Sequence, residues 1–303
     1  MIVTKKDIES GVYGLVVADA LGVPYEFLSR AELQKNPCVG MIGHGTHDQE
    51  KGVWSDDSSM TLATMAAFSA PPQERYRAIM DNFVAWLDEG AFTVDGVFDM
   101  GNTCFFAVMK YTKGTPPTAC GGKGEYDNGN GSLMRILPAS LYLLSMSDGE
   151  DKTFIDEVSS LTHAHPISRA ACKIYTDVVG AILQKKDKAA IFPIANIYEQ
   201  SVYARLQDAA FYHLPEDEIK SGGYVVESLE AALWCFATTF SYRDCVLKAV
   251  NLGGDTDTTA AIAGSLAGLY YGKEGIPEEW LDELKGKDVI ERALLAFCAE
   301  VCQ

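Results

Sequence analysis

The sequence predicts an all-α protein, a single compact multi-helix domain over residues 1–303 with functional loops at helix N-termini. Two observations carry this reading. Apolar residues recur at three- and four-residue spacing through most of the chain, and apolar/polar alternation bounded by turns is almost absent. Composition agrees: 48% of residues are hydrophobic, enough for a large core. No linker, charge-run boundary, internal repeat or low-complexity tract divides the chain.

The elements follow in order. Lys5 and Lys6 precede the apolar run "VYGLVVADA", which has the look of a signal peptide, but Asp7 and Glu9 precede that run and Asp19 interrupts its end. No apolar window is long enough to span a bilayer. The expectation is therefore a soluble cytoplasmic protein. Residues 36–54 are loop-like, rich in Gly and His, and "WSDDSSMTL" then opens a helix. In "ERYRAIMDNFVAWLDEG", Tyr76, Ile79, Phe83, Trp86 and Leu87 follow helical spacing, with Gly90 as a stop. Residues 112–132 read as a long loop, and long loops in compact domains are more often functional than structural. Phe154, Val158 and Leu161 mark the next helix. Further helical patterns run through "SRAACKIYTDVVGAILQKK", "VVESLEAALWCFATT", "YRDCVLKAVNLG" and "DVIERALLAFCAEVC". After Asp257 comes a helix carrying Ala261, Gly264, Ser265 and Gly268, small residues that let a neighbouring backbone approach. This helix is expected at the centre.

Charge narrows the function. With 25 Lys+Arg against 42 Asp+Glu the net charge is -17. Nucleic acid and anionic membranes are excluded as partners, because both need a basic face. A small anionic ligand is not excluded, since bound cations reverse a field locally. The eight cysteines show no C-x-x-C pair, so they are expected reduced and buried, with no zinc site.

Five stretches could carry chemistry. In "WSDDSSMTL", Ser55, Asp56 and Asp57 stand at a helix start. An N-cap is the simpler reading, but it needs one oxygen, and two adjacent carboxylates repel unless exposed or bridged by a cation. "NLGGDTDTTAAIAG" repeats the theme with Asp255, Asp257 and Thr258, Thr256 being left without a role. Should the two starts face each other, they form a hard-cation site suited to Mg²⁺ or Mn²⁺. Glu26, in "GLVVADALGVPYEF", would complete it, while Asp19 in the same run is either solvent-facing or paired. "YDNGNGSLMR" is a dense turn signal that also opens a helix, and a plain turn and a phosphate cradle at Asn128, Gly129, Asn130, Gly131 and Ser132 stand level. In "THAHP", His163 and His165 suit a metal or a titrating pair, ordinary loop hydrogen bonds being the commoner reading; His44 and His47 share that ambiguity.

Together these stretches resemble the ADP-ribosylglycohydrolase family. The matching motifs, in the family's order, are "GLVVADALGVPYEF", "GVWSDDSSMTL", "FDMGNT", "NGNGSLMRILP", "THAHP", "GGYVVESLEAALW" and "NLGGDTDTTAAIAGSLAGLYYG", and they span residues 11–272. Each motif alone is weak; their order is not. The resemblance implies an all-α fold with a binuclear Mg²⁺ (or Mn²⁺) centre in a cleft. It assigns metal ligation to Glu26, Ser55, Asp56, Asp57, Asp255, Asp257 and Thr258, with Ser55 where many relatives have Thr. It places substrate against Asp99, the 128–132 loop, His163 or His165, and Tyr224 as the aromatic flanking ADP-ribose. The implied reaction is hydrolysis of the bond between ADP-ribose and an acceptor, most readily ADP-ribosylated arginine on protein. Glu26, Asp56, Asp57, Asp255 and Asp257 would carry the catalysis, with Glu26 as ligand or base, and Arg135 would pair with phosphate or serve the helix. Serine-linked or small-molecule ADP-ribose conjugates, a catalytically silent ADP-ribose-binding protein and a metal-dependent phosphohydrolase are the competing readings. A monomer is the expected state.

Overall fold

Several helix starts in this chain are set by local caps. Thr4 and Asp7 form a reciprocal capping box, as do Ser29 and Glu32, and Ser55, Asp187 and Ser241 each accept a backbone N–H of the helix they precede. The computed structural model describes residues 2–146 and 151–302. Its helices are α1 (Lys5–Gly22), α2 (Arg30–Lys35), α3 (Asp56–Ala66), α4 (Arg75–Glu89), α5 (Asn102–Thr112), α6 (Leu137–Ser145) and α7 (Thr153–Ser160). The second half adds α8 (Pro166–Leu183), α9 (Lys188–Ile191), α10 (Val225–Ala237), α11 (Tyr242–Asn251), α12 (Thr256–Tyr271), α13 (Glu278–Glu283) and α14 (Lys287–Val301). Among the described residues there is no named strand, only three isolated bridges. The all-α expectation holds. No helix among them is long and apolar enough to cross a membrane.

The core is built around α1 and α12. Every residue of α12 from Thr256 to Leu269 is buried, and so is α1 from Ser10 to Gly22. A helix with no polar face must be enclosed on all sides. Its small residues make that possible: a Cβ at Gly264 would lie 2.4 Å from the Gly14 carbonyl oxygen and 2.4 Å from Ala18 Cβ. Polar bonds tie this pair to its neighbours and to each other. Tyr242 donates to the Gly14 carbonyl at 2.8 Å, and Tyr175 pairs with Ser265 at 2.6 Å. Thr256 donates to the Gly22 carbonyl at 2.9 Å. Thr256 thereby adds a side-chain donor to the last carbonyl of α1 and pins the start of α12 onto it.

Three expectations need correction. The stretch after "NGNG" does not open a helix: residues 131–135 are turns, and α6 begins at Leu137. Pro138 has no N–H to give the Met134 carbonyl, which accepts from Thr61 Oγ1 at 3.4 Å instead. Not all cysteines are buried, because Cys302 ends the last helix in solvent and Cys298 is half-buried; all eight are free. Finally, α2, α5, α9 and α13 fall where no helix is expected, and residues 201–218 carry short 3₁₀ turns.

Candidate metal centre and cleft

Two helix starts meet. The N-termini of α3 and α12 come together where Thr258 Oγ1 donates to Asp57 Oδ2 at 3.2 Å. Ser55 donates to the same oxygen at 3.0 Å. Asp57 in the first turn of α3 and Asp257 in the first turn of α12 sit where helix dipoles favour negative charge. The orientation of α3 is set from α1. Asp19, fully buried, accepts from the Ser55 N–H (3.0 Å), the Ser58 N–H (3.0 Å) and the Ser58 hydroxyl (2.5 Å). The acidic interruption in the first apolar run is thus a cap donated to another helix.

Glu26 arrives from the segment after α1. That segment is tied to the α12 loop by two backbone bonds, from Phe27 N to Gly254 O (2.7 Å) and from Gly254 N to Leu28 O (2.8 Å). Carboxylate oxygens of Glu26, Asp255 and Asp257 then lie within 4.8 Å of one another, and so do those of Asp19, Asp57 and Asp257. Asp56 belongs to neither triad but lines the adjoining cavity, as does Thr258.

The donor set fits hard divalent cations. Asp57 Oδ1, Asp255 Oδ1 and Asp257 Oδ2 are buried and accept no hydrogen bond. Leaving a buried carboxylate oxygen bare is costly unless a cation takes it up. The ligands are oxygens, which suits Mg²⁺ or Mn²⁺. Charge tells the same story. Burial, with Asp255 next, pushes Glu26 up to about 8, and burial, with Glu26 next, pushes Asp99 up to about 8. Asp56, Asp57 and Asp257 are driven well above the ordinary carboxylate range, first by burial and then by their acidic neighbours. These shifts favour protons on the cluster in the absence of counter-charge, and a divalent ion would displace them.

Beside the carboxylates lies a cavity of about 250 Å³. Its lining includes Glu26, Asp56, Asp99 and Asp255, the glycine-rich stretch Gly129, Asn130 and Gly131, and Gly223, with His163, Thr258 and the start of α5 completing it. The glycine-rich loop is held by Asn130 N donating to Gly223 O (3.2 Å) and Val225 N donating to Asn128 O (3.0 Å). These bonds bridge Gly129 to Tyr224, which stands at the start of α10 and is 39% exposed. Asn130 Nδ2 donates to Asp255 Oδ2 at 2.7 Å and to Ser228 at 2.9 Å, linking this loop to the carboxylates.

Other candidates lie off the cavity wall. Ser132 is fully buried and pairs with Ser159 (2.9 Å) and Cys172 (3.6 Å). Asn128 directs its amide to the Glu125 carbonyl at 2.8 Å. His165 caps α8 by accepting from Ile167 N at 3.3 Å. Its partner His163 lines the cavity, but burial and the nearby Arg135 push it down to about 3, so it is neutral at physiological pH. Arg135 is itself fully buried, over the Phe83 ring (4.9 Å) and donating to Thr162 (2.7 Å), a packing role rather than an open phosphate clamp. Sequence reasoning missed Asp19 as the α3 cap and left His47 undecided, though His47 contacts Glu26 directly. A buried acid in an apolar run was the available signal for the first; a loop histidine gives none.

A profile described as ADP-ribosylglycohydrolase matches residues 4–302. The ADP-ribosylarginine hydrolase Tri1 of Serratia proteamaculans is 31% identical over 280 residues, covering 91% of this chain and 74% of that protein. The ADP-ribosyl-[dinitrogen reductase] glycohydrolase of Rhodospirillum rubrum is 31% identical over 283 residues, covering 93% and 90%. A solved structure titled ADP-ribosylglycohydrolase-related protein complex superposes with a TM-score of 0.83 at 27% identity, covering 98% of each chain.

Proposed function

We propose a function from one premise: this chain belongs to the ADP-ribosylglycohydrolase family. It is a hydrolase that releases ADP-ribose from an acceptor, with two divalent cations held by Glu26, Ser55, Asp56, Asp57, Asp255, Asp257 and Thr258. The acceptor is arginine. The observation that carries the reading is the set of bare buried oxygens on Asp57, Asp255 and Asp257 beside a cavity with a glycine-rich wall. The arginine assignment is supported by the name of the relative from Serratia proteamaculans.

Cleavage at the distal ribose builds positive charge on its C1″ carbon. The cation pair, when bound, orients ribose hydroxyls and polarises the oxygen of the attacking water. The chain's own groups do the rest. Glu26 accepts the proton of that water as its oxygen bonds to C1″ and the C1″–N bond breaks, and the proton returns to the departing arginine nitrogen. Asn130 holds Asp255 in place through its amide. Asp99 meets the distal ribose, the Gly129–Gly131 stretch takes the diphosphate, and Tyr224 flanks the nucleotide. His163, neutral, lines the cavity without exchanging protons. The net charge of -17 opposes an anionic ligand, so the local cations and helix N-termini must supply the attraction.

The test is direct. ADP-ribosylated arginine is incubated with the protein and Mg²⁺ or Mn²⁺, with and without EDTA, and free ADP-ribose is measured. Serine-linked and small-molecule conjugates run in parallel. Metal-dependent release from arginine supports the proposal, release only from another linkage moves the acceptor, and no release from any substrate overturns the hydrolase. Asp255→Asn should abolish metal-dependent turnover with the helical circular dichroism unchanged.

A further inference from the structure

Glu26 is the one candidate ligand that stands on neither helix start. Its segment is irregular, so something outside that segment must fix its carboxylate. The structure supplies residues 44–49. Thr46 Oγ1 donates to the Glu26 carbonyl at 2.6 Å, and His47 Nε2 bonds to Glu26 Oε2. The same nitrogen lies 3.9 Å from Asp99 Oδ1, so one imidazole faces two acids of the cavity lining. When a cation keeps Glu26 and Asp99 ionised, both can only accept, and Nε2–H is then the donor.

The loop around this contact has no other inward task. His44, Gly45, Thr46 and Asp48 are exposed, and only His47 and Gln49 turn partly inward. The imidazole is wedged between Phe27 and Phe98, with ring centroids at 6.1 and 5.2 Å, and its side chain is 15% exposed. The backbone is strained to achieve this. Of eight non-glycine residues with positive φ among those described, Phe27, His44, Asp48 and Asp99 gather here. Gly45 is required: its φ is +75°, and a Cβ would lie 2.1 Å from the Pro24 carbonyl oxygen. Strain concentrated around one contact marks a position the fold is built to hold.

We propose that His47 is a positioning residue for the hydrolytic centre. Its Nε2–H fixes one oxygen of the Glu26 carboxylate and leaves the other for the Asp255–Asp257 side, while holding Asp99 beside Glu26. The kinetic consequence rests on the hydrolase reading above; the metal-binding consequence does not.

The experiment compares His47→Ala, His47→Gln and His44→Ala in the full chain by ADP-ribose release and by calorimetric titration with Mn²⁺. His47→Ala should lose about 10–100-fold in kcat or in Mn²⁺ affinity, the range for partners that orient ligands, with KM little changed. His47→Gln, which keeps an N–H near the Nε2 position, should recover most of the loss. His44→Ala should match the wild type. Wild-type turnover and Mn²⁺ affinity in His47→Ala, or a loss in His47→Gln as deep as in His47→Ala, overturns the proposal. Should His47→Ala fail to fold, His47→Asn takes its place, since its shorter arm cannot reach Glu26. Should the wild type release no ADP-ribose at all, the hydrolase reading falls while the Mn²⁺ titration still decides the role of His47.

Discussion

Asp257→Asn should make the metal-free protein more stable while destroying its response to metal. Asp257 belongs to both carboxylate triads, so it faces Asp19, Asp57, Glu26 and Asp255 with donor oxygens within 4.8 Å in each group. Two ionised carboxylates at that distance repel by ~3.5 kcal/mol at an effective dielectric of about 20. The cluster avoids much of this by holding protons, so replacing one member should relieve about 1–3 kcal/mol. The asparagine keeps the bond that Asp257 Oδ1 accepts from Thr258 N at 3.0 Å, and its NH₂ replaces an oxygen that has no partner. Unfolding entropy of about 2.1 cal/mol/K per residue gives ~0.6 kcal/mol/K for a chain of 303 residues. The expected rise in Tm is therefore about 2–5 °C in EDTA. In wild type, cation at a hundredfold excess over Kd should add about 2.7 kcal/mol, or roughly 4 °C. Thermal unfolding of both proteins in EDTA and in Mn²⁺ reads all four values. A lower metal-free Tm in Asp257→Asn, or an undiminished rise with Mn²⁺, would refute the reasoning, because it would mean that Asp257 neither strains the empty cluster nor binds the ion.

Two further tests address the scaffold. Thr256→Val keeps the side-chain shape but leaves the Gly22 carbonyl without its 2.9 Å donor, so it should cost about 1–3 kcal/mol and lower Tm by about 2–5 °C; an unchanged Tm removes the proposed clamp between α1 and α12. Glu230 is buried, and burial pushes it up to about 7 despite Arg205 Nη1 at 3.2 Å. Between its ordinary 4.5 and 7 the folded state binds more protons than the unfolded one, so Glu230 lowers stability as pH rises through that window. Glu230→Gln should gain on wild type from pH 4.5 to 7.5, by at most about 3 kcal/mol. A difference in Tm that stays flat with pH would contradict this sign.

The helices were legible because their signals are local. Ser55 and Gly90 mark ends that the structure places within a residue or two, and the small residues of α12 announce a close neighbour without naming it. The short turns around 201–218 have no period to read, and Pro138 displaced a helix start that the returning apolar spacing had placed at Ser132. The site was legible as parts. Each acidic helix start is visible alone, but that Asp57 and Thr258 meet depends on 201 intervening steps of chain. Asp19 shows why composition is not enough: the same buried acid reads as a flaw in an apolar run until Ser55 and Ser58 are seen to need it. The two levels are physically linked. Asp19 orients α3, Thr256 seats α12, and between them these contacts force carboxylates together that would separate in any looser arrangement. Packing of α1 against its neighbours thus holds together carboxylates whose mutual repulsion a bound divalent cation would relieve, so loosening that packing should weaken cation binding before it unfolds the helices.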